Sequence, residues 1–161
     1  MTWPVGFRPC RESDLSILEW GGLFTTHRDI IRSAFRRQQE RGDLLMLVAD
    51  LGGYPVGQVW IDFCRCADEG AGFLWAVRVL ESMQGAGIGA RMIAAAEDVI
   101  RGRGRPCARL LVERRNKRAR RLCERLGYAG LGELAESVCF TTPDGRSVRM
   151  DLDELIMGKS L

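Results

Sequence analysis

The sequence is poor in histidine and lysine: its 161 residues hold one histidine, His27, and two lysines, Lys117 and Lys159. With a single imidazole, histidine-rich zinc centres and histidine-based triads are largely excluded. A zinc site would need cysteines, and the one close pair, Cys64 and Cys66, has C-x-C rather than C-x-x-C spacing. Long apolar runs are missing as well. Leu44 to Ala49 and Met92 to Ala96 fall far short of the ~20 residues that a membrane span requires, and no apolar h-region follows Met1. No membrane partner and a cytoplasmic location are therefore expected. The six cysteines (Cys10, Cys64, Cys66, Cys107, Cys123 and Cys139) are even in number, but without a secretion signal they read as reduced thiols. Aromatics make up 7%, and Trp20, Phe24, Trp60, Trp75 and Phe140 are spread so widely that most must serve the core.

What is present fits an ordinary globular chain. Hydrophobic residues at 46% and charged residues at 28% exclude a disordered or fibrous protein, and the length predicts one domain over residues 1–161. Charge is unevenly distributed. Residues 101–125 hold eleven basic side chains against Glu113 and Glu124, a local +9 that leaves −6 elsewhere. Such a field draws a polyanion or a multiply phosphorylated ligand, although a solvated helix face would look the same. The acidic remainder argues against a general nucleic-acid coat.

Periodicity predicts an opening strand at Val5 to Arg8. A helix started by Ser13 and Asp14 would carry Leu15, Ile17, Leu18 and Trp20. A second, with Thr26 and Asp29 as a capping box, would run to Gly42. Leu44 to Asp50 and Pro55 to Phe63 read as an antiparallel hairpin around Gly52 and Gly53, with a further strand at Phe73 to Leu80. Met92, Ile93, Ala96, Val99 and Ile100 form a helical stripe, Ala108 to Val112 a strand, and Asn116 caps a helix with Ala119, Leu122, Cys123 and Leu126 inward. Extended segments at Glu133 to Thr141 and Arg146 to Leu155 flank Pro143-Asp144-Gly145, a turn signal. The expected fold is α/β of the α+β kind: a mixed, mostly antiparallel sheet of about 6–7 strands with about four helices.

Chemistry is concentrated in Val77-Arg78-Val79-Leu80-Glu81-Ser82-Met83-Gln84-Gly85-Ala86-Gly87-Ile88-Gly89-Ala90, which runs from a strand end through a glycine-rich turn into a helix. Such a turn presents backbone N–H groups at the positive end of a helix dipole, and the glycines let phosphate oxygens reach the main chain. A diphosphate suits it; close helix packing is the plainer explanation. Residues 85–90 also satisfy G-x-G-x-x-A, with Glu113 ending a later strand, as in nicotinamide dinucleotide-dependent oxidoreductases. Three preceding strands that form no βαβ half weaken that match.

Gln84-x-x-Gly87-x-Gly89 after a strand, followed by Asn116-x-x-Ala119-x-x-Leu122 running to Leu126-Gly127-Tyr128, resembles the GNAT superfamily of acyl-CoA-dependent N-acyltransferases. The order of elements is similar over most of the chain. The resemblance implies an N-acetyltransferase that moves an acetyl group from acetyl-CoA to an amine by direct attack on the thioester, with no metal. It implies that backbone groups of Val77 and Val79 hold the pantetheine arm together with Asn116, and that Gln84, Gly85, Ala86, Gly87, Ile88 and Gly89 wrap the CoA diphosphate. The acceptor, a small molecule or a peptide, is not identified, and a homodimer is left open.

Where the family often has a tyrosine that protonates the leaving thiolate, this sequence has Cys123. A thiol of pKa ~8.5 is acidic enough but several ångströms shorter, so it acts through a water, is bypassed, or is simply a packed small residue. The strand before the glycine turn supplies no acid, leaving Asp62 and Glu136 as candidate bases, with solvated carboxylates as the plainer reading. His27 begins a helix near the loop Gly21 to Thr26, which in the family lies over the substrate. Two other functions compete: a nucleic-acid-binding module using Arg114 to Arg125, and the nicotinamide oxidoreductase.

Overall fold

Leu44-Leu45-Met46-Leu47-Val48-Ala49 is too apolar for a strand with one wet face. In the computed structural model, which describes residues 2–161, it lies within a sheet covered on both sides. Strand β2 (Leu44–Leu51) turns through Gly52 and Gly53, both at positive φ, into β3 (Tyr54–Asp62), which is the expected hairpin. Alternation divides the side chains: Leu47, Ala49, Val59 and Ile61 enter one core, while Met46, Val48 and Trp60 enter the other.

The remaining strands are β1 (Gly6–Pro9), β4 (Ala71–Val79), β5 (Cys107–Glu113), β6 (Ala129–Thr141) and β7 (Ser147–Ser160). They give one seven-stranded sheet in the order β1-β2-β3-β4-β5-β7-β6. Among the described residues β4 with β5 is the one parallel pair, so the mixed, mostly antiparallel α+β fold expected from sequence is what forms. Helix α2 (Ile88–Gly102) sets Ile88, Met92, Ile93, Ala96 and Ile100 into the first core. Helix α1 (Arg28–Glu40) sets Ile31 and Ala34 into the second, and α3 (Lys117–Arg125) buries Cys123. Gly72 keeps α2 close to β4, since a Cβ there would sit 2.6 Å from Ile100 Cγ1. The far side of α2 is tied down by a buried polar group: Glu97 accepts from Tyr128 Oη at 2.8 Å and from Lys159 Nζ at 3.0 Å. No helix among the described residues is long and apolar enough to cross a membrane.

Two local expectations change. The segment from Ser13 to Trp20 forms two short 3-10 turns, Glu12–Asp14 and Ile17–Glu19, in place of an α-helix. Asp14 takes the Arg11 N–H at 2.7 Å and the Arg8 guanidinium at 2.7 Å, which fixes a turn, and Trp20 at φ 42 ends the second. Thr26 does not cap α1 either, because its Oγ1 lies 3.1 Å from His27 Nδ1.

What positions the site is a failure of pairing. β4 and β5 are in register over four pairs only, from Ala71 with Cys107 to Leu74 with Leu110. Just beyond, Ala76 lies at φ 52, a left-handed conformation that costs a residue with a Cβ about 1–2 kcal/mol. β4 there carries an extra residue: Trp75 faces Trp60 and Arg78 faces Gln58, three steps of β4 against two of β3. This bulge turns Trp75 and Arg78 to the same side of the sheet, and the parallel strands part below them.

Candidate active site

The sequence Gln84-Gly85-Ala86-Gly87 leads into α2 with Gly85 at φ 82 and Gly87, the residue before the helix, at φ 80. Left-handed backbone is cheap only for glycine, which explains both choices. No protein atom lies within 4 Å of where a Cβ would stand at either position, so the turn faces open space. That space is a groove of about 470 Å³ lined by Val77, Val79, Gln84, Gly85, Gly87, Ile88, Gly89 and Asn116. Eight of the residues expected to bind a cofactor thus come together, while Ala86 does not line the groove. The Gln84 Nε2 amide donates to the Val79 carbonyl at 2.9 Å, pinning the turn to the strand end. Asn116 caps α3 as expected, its Oδ1 accepting the Ala119 N–H at 3.0 Å.

The basic stretch is dispersed by the fold. Arg101, Arg109, Arg114 and Arg120 are spent on Asp98, Glu69, the Glu133 and Asp153 pair, and Glu124. Arg103 lies over the Phe63 ring, and Arg105 donates to the Ala71 carbonyl. Arg118 and Arg125 line the groove, a role that the charge run suggested without assigning residues. Arg115, Lys117 and Arg121 stay exposed at α3. The G-x-G-x-x-A match at residues 85–90 likewise sits in a sheet with a single parallel pair among the described residues, which is not a dinucleotide-binding half.

A second cavity, about 480 Å³, fills the wedge between the parted strands. It shares Val77, Asn116 and Ala119 with the groove, so the two spaces meet at the end of β4 and the start of α3. Its far wall comes from the long hairpin of β6 and β7, where Glu136 faces Leu152 and Val138 faces Met150, with Phe140 and Glu154 at either end.

The candidate acids and bases differ sharply in placement. Asp62 is not among the residues lining either space. It accepts from Arg37 Nη1 at 3.0 Å and from the backbone N–H of Cys64 at 2.8 Å. Burial opposes its ionisation, but these bonds hold its pKa below the usual carboxylate value, which suits a structural anchor and not a base. Glu136 does line the chamber, with Arg65 Nη2 at 3.9 Å. Beside it stands Glu154, which sequence reasoning did not single out. Its Oε2 is enclosed without a hydrogen-bond partner, and burial, reinforced by Glu136 and Glu113, pushes its pKa up against a smaller opposing effect of Arg65. The signal was available: Glu154 falls between Leu152 and Ile156 on one strand face, an acid in an apolar series.

Cys123 also lines the chamber, and burial, followed by Glu124, pushes its thiol up to about 11. Neither tyrosine replaces it. Tyr128 is bound to Glu97, Tyr54 is exposed at the β2–β3 turn, and neither lines the chamber. His27 lines the chamber and stacks on Phe140 at 5.6 Å between ring centroids. Burial and the nearby Arg78 lower its pKa, so it is neutral at pH 7. Arg78, the other missed residue, reaches the chamber because the bulge reverses its side.

Residues 13–128 match the model of the acetyltransferase (GNAT) family. The chain belongs to that family and is an acetyl-CoA-dependent N-acetyltransferase. No curated protein matches its sequence. Among solved structures it is similar to the ribosomal-protein-alanine N-acetyltransferase of Brucella melitensis, at 21% identity, TM-score 0.75, and coverage of 97% of this chain and 99% of that one. It is also similar to yncA from Salmonella typhimurium with its cofactor acetyl-CoA, at 18% identity, TM-score 0.74, and coverage of 98% and 94%. The third is the paia N-acetyltransferase of Thermoplasma acidophilum in complex with coenzyme A, at 16% identity, TM-score 0.72, and coverage of 98% and 99%. At these identities the likeness is one of fold.

Proposed function

With GNAT membership as the premise, we propose that this single-domain enzyme acetylates an amine held in the 480 Å³ chamber, with Glu154 as the proton acceptor. The observation that carries the reading is the junction of groove and chamber at Val77, Asn116 and Ala119, where two ligands entering from opposite sides would meet. The free thiol state of all six cysteines accords with a cytoplasmic setting.

The residues of the groove fit coenzyme A. Open space before Gly85 and Gly87 at the start of α2 suits a diphosphate, and Arg118 and Arg125 add positive charge. Val77 and Val79 lie where β4 has left β5, on a strand edge that can pair with amide groups of a pantetheine arm. Acetyl-CoA supplies an acetyl group activated as a thioester.

The chain's task is to deliver a neutral amine. An ammonium of pKa ~10.4 loses its proton at pH 7 at a cost of roughly 4–5 kcal/mol, so a base with a raised pKa in a dry site is useful. Glu154 is half-buried with a raised pKa, and its enclosed Oε2 has no other partner. It takes the ammonium proton, the nitrogen bonds to the acetyl carbon as the carbon–sulfur bond breaks, the nitrogen releases its second proton to solvent, and the departing thiolate takes a proton from solvent. The Cys123 thiol, at about 11, is a poorer acid than a departing thiol of pKa ~8.5, so it is not given that step.

Steady-state rates of Glu154→Gln and Glu136→Gln with a small primary amine test this assignment. Glu154→Gln should lose about 10²-fold or more in kcat. It should also lose the acidic limb of the pH profile, which in wild type lies above the ordinary carboxylate value because the Glu154 pKa is raised. An unchanged limb in Glu154→Gln, or its loss in Glu136→Gln alone, would transfer the role.

A further inference from the structure

The chamber contains a positive charge that the mechanism above does not use. Most arginines that point inward in this protein meet a carboxylate: Arg8 meets Asp14 and Asp50, Arg37 meets Asp43 and Asp62, and Arg109 meets Glu69. Arg78 lines the chamber with its guanidinium 4.1 Å from the centroid of the Phe24 ring, and no acid or hydrogen-bond acceptor is found for it among the described residues. Gln58, opposite it on β3, turns its Oε1 to the Trp60 Nε1–H at 3.0 Å, and no hydrogen bond joins it to Arg78. A guanidinium does not shed its proton near neutral pH, so the charge remains and asks for an anion. The aromatic face offsets only part of its desolvation.

The anion is not one belonging to coenzyme A. Its phosphates belong beside the glycine turn, and Arg78 is not among the residues lining that groove. The chamber also has an opposite pole, formed by Glu113, Glu136 and Glu154 on β5, β6 and β7. A plain alkylamine would answer the acidic pole and leave Arg78 unanswered. We infer that the acceptor carries an oxyanion as well as its amine: a small zwitterion of the amino-acid class whose carboxylate, or an equivalent acid group, is received by Arg78. This rests on the assignment of the chamber to the acceptor and adds the class of molecule that enters it. A bidentate guanidinium–carboxylate contact would also fix which way the molecule lies, presenting the amine toward Glu154 and the junction.

The experiment compares matched acceptors with acetyl-CoA and thiol detection: leucine with leucinamide, 4-aminobutanoate with propylamine, and 6-aminohexanoate with pentylamine. A tetrapeptide beginning with alanine, made with and without an aspartate, forms a further pair. For at least one small pair the wild-type enzyme should favour the acid by about tenfold or more in kcat/KM. In Arg78→Met the ratio should fall to about threefold or less, while Arg78→Lys retains part of it. An arginine that merely holds the Phe24 loop would lower both members of a pair together and leave their ratio intact, which would overturn the inference. Equal rates for acid and neutral partners in wild type would overturn it without any variant, even if Arg78→Met failed to fold. Acetylation of peptides alone, whatever their charge, would do the same. If wild type binds acetyl-CoA by calorimetry but accepts no amine of the panel, the chamber assignment fails with it; acetylation without charge preference removes only the role of Arg78.

Discussion

The groove proposed for the cofactor and the chamber proposed for the acceptor share a wall but are made by opposite means. The groove is made of backbone: glycines at positive φ, a helix start and a released strand edge, with an internal bond from Gln84 to Val79 keeping it in shape. Its polar groups can be left facing solvent at little cost. The chamber is lined by side chains from β4, β5, β6, β7 and α3, among them Glu154, whose enclosed Oε2 has no partner, and Arg78, which meets no acid among the described residues. A constant ligand can be met by a constant backbone motif. A particular acceptor has to be met by charges placed against the ordinary rules of burial.

The largest effect that would break this contrast is expected in the groove. Gly87→Glu places a carboxylate in the space before α2 and should raise the acetyl-CoA Kd by about a hundredfold or more. Steric exclusion dominates, since the helix-dipole contribution is only about 0.3–1 kcal/mol. Gly89→Glu is the control for backbone strain, because Gly89 is helical and a Cβ there meets only Leu122 and Val79 at 3.8 Å. Calorimetry on the folded variants decides it, and wild-type affinity in both would put the diphosphate elsewhere.

In the chamber, an unsatisfied acid should be a burden on stability. Glu154→Leu is expected to inactivate the enzyme yet raise Tm by about 2 °C. The sign follows from the raised pKa: the unfolded chain releases the proton first, so wild type loses stability as pH rises from the ordinary value of ~4.3 through the folded value. The advantage of the variant should therefore grow over that interval. A lower Tm at every pH in thermal melts would mean that Glu154 has a structural partner after all.

The smallest effect is expected at Cys123, which lines the chamber without belonging to its charged poles. Cys123→Ala should change the maximal rate by less than about threefold, against the 10²-fold usual for a general acid. A hundredfold loss at saturating acetyl-CoA in a folded variant would make the thiol a catalytic participant and blur the division between packing wall and chemical wall.

The two regions were unequally legible for the same reason that they differ. Gln84 to Gly89 are neighbours in the chain, and their glycines announce a conformation, so the turn could be read. Among the proposed bases, Asp62 and Glu136 looked equivalent as acids on strands. Only burial and partners separate them: Asp62 is neutralised by Arg37 and two backbone N–H groups, whereas Glu136 opens onto the chamber beside Glu154. The first helix was misread because Ser13 and Asp14 look like a cap, while in the fold Asp14 answers Arg8.

The sequence by itself determined the order of the strands and of the helices α1, α2 and α3, the hairpin of β2 and β3, and the glycine turn, since each of these depends on periodicity or on the conformational freedom of residues close together in the chain. Only the tertiary structure decided which charges face one another. One extra residue at Ala76 places Arg78 on the side of Trp75, against the alternation its position implies. The parting of β4 from β5 after Leu74 and Leu110 then opens the space in which residues more than seventy positions apart, Arg78 and Glu154, become the two poles of one chamber. Whether a charge is solvated or stranded depends on what surrounds it in space, and that is not a local property of the chain.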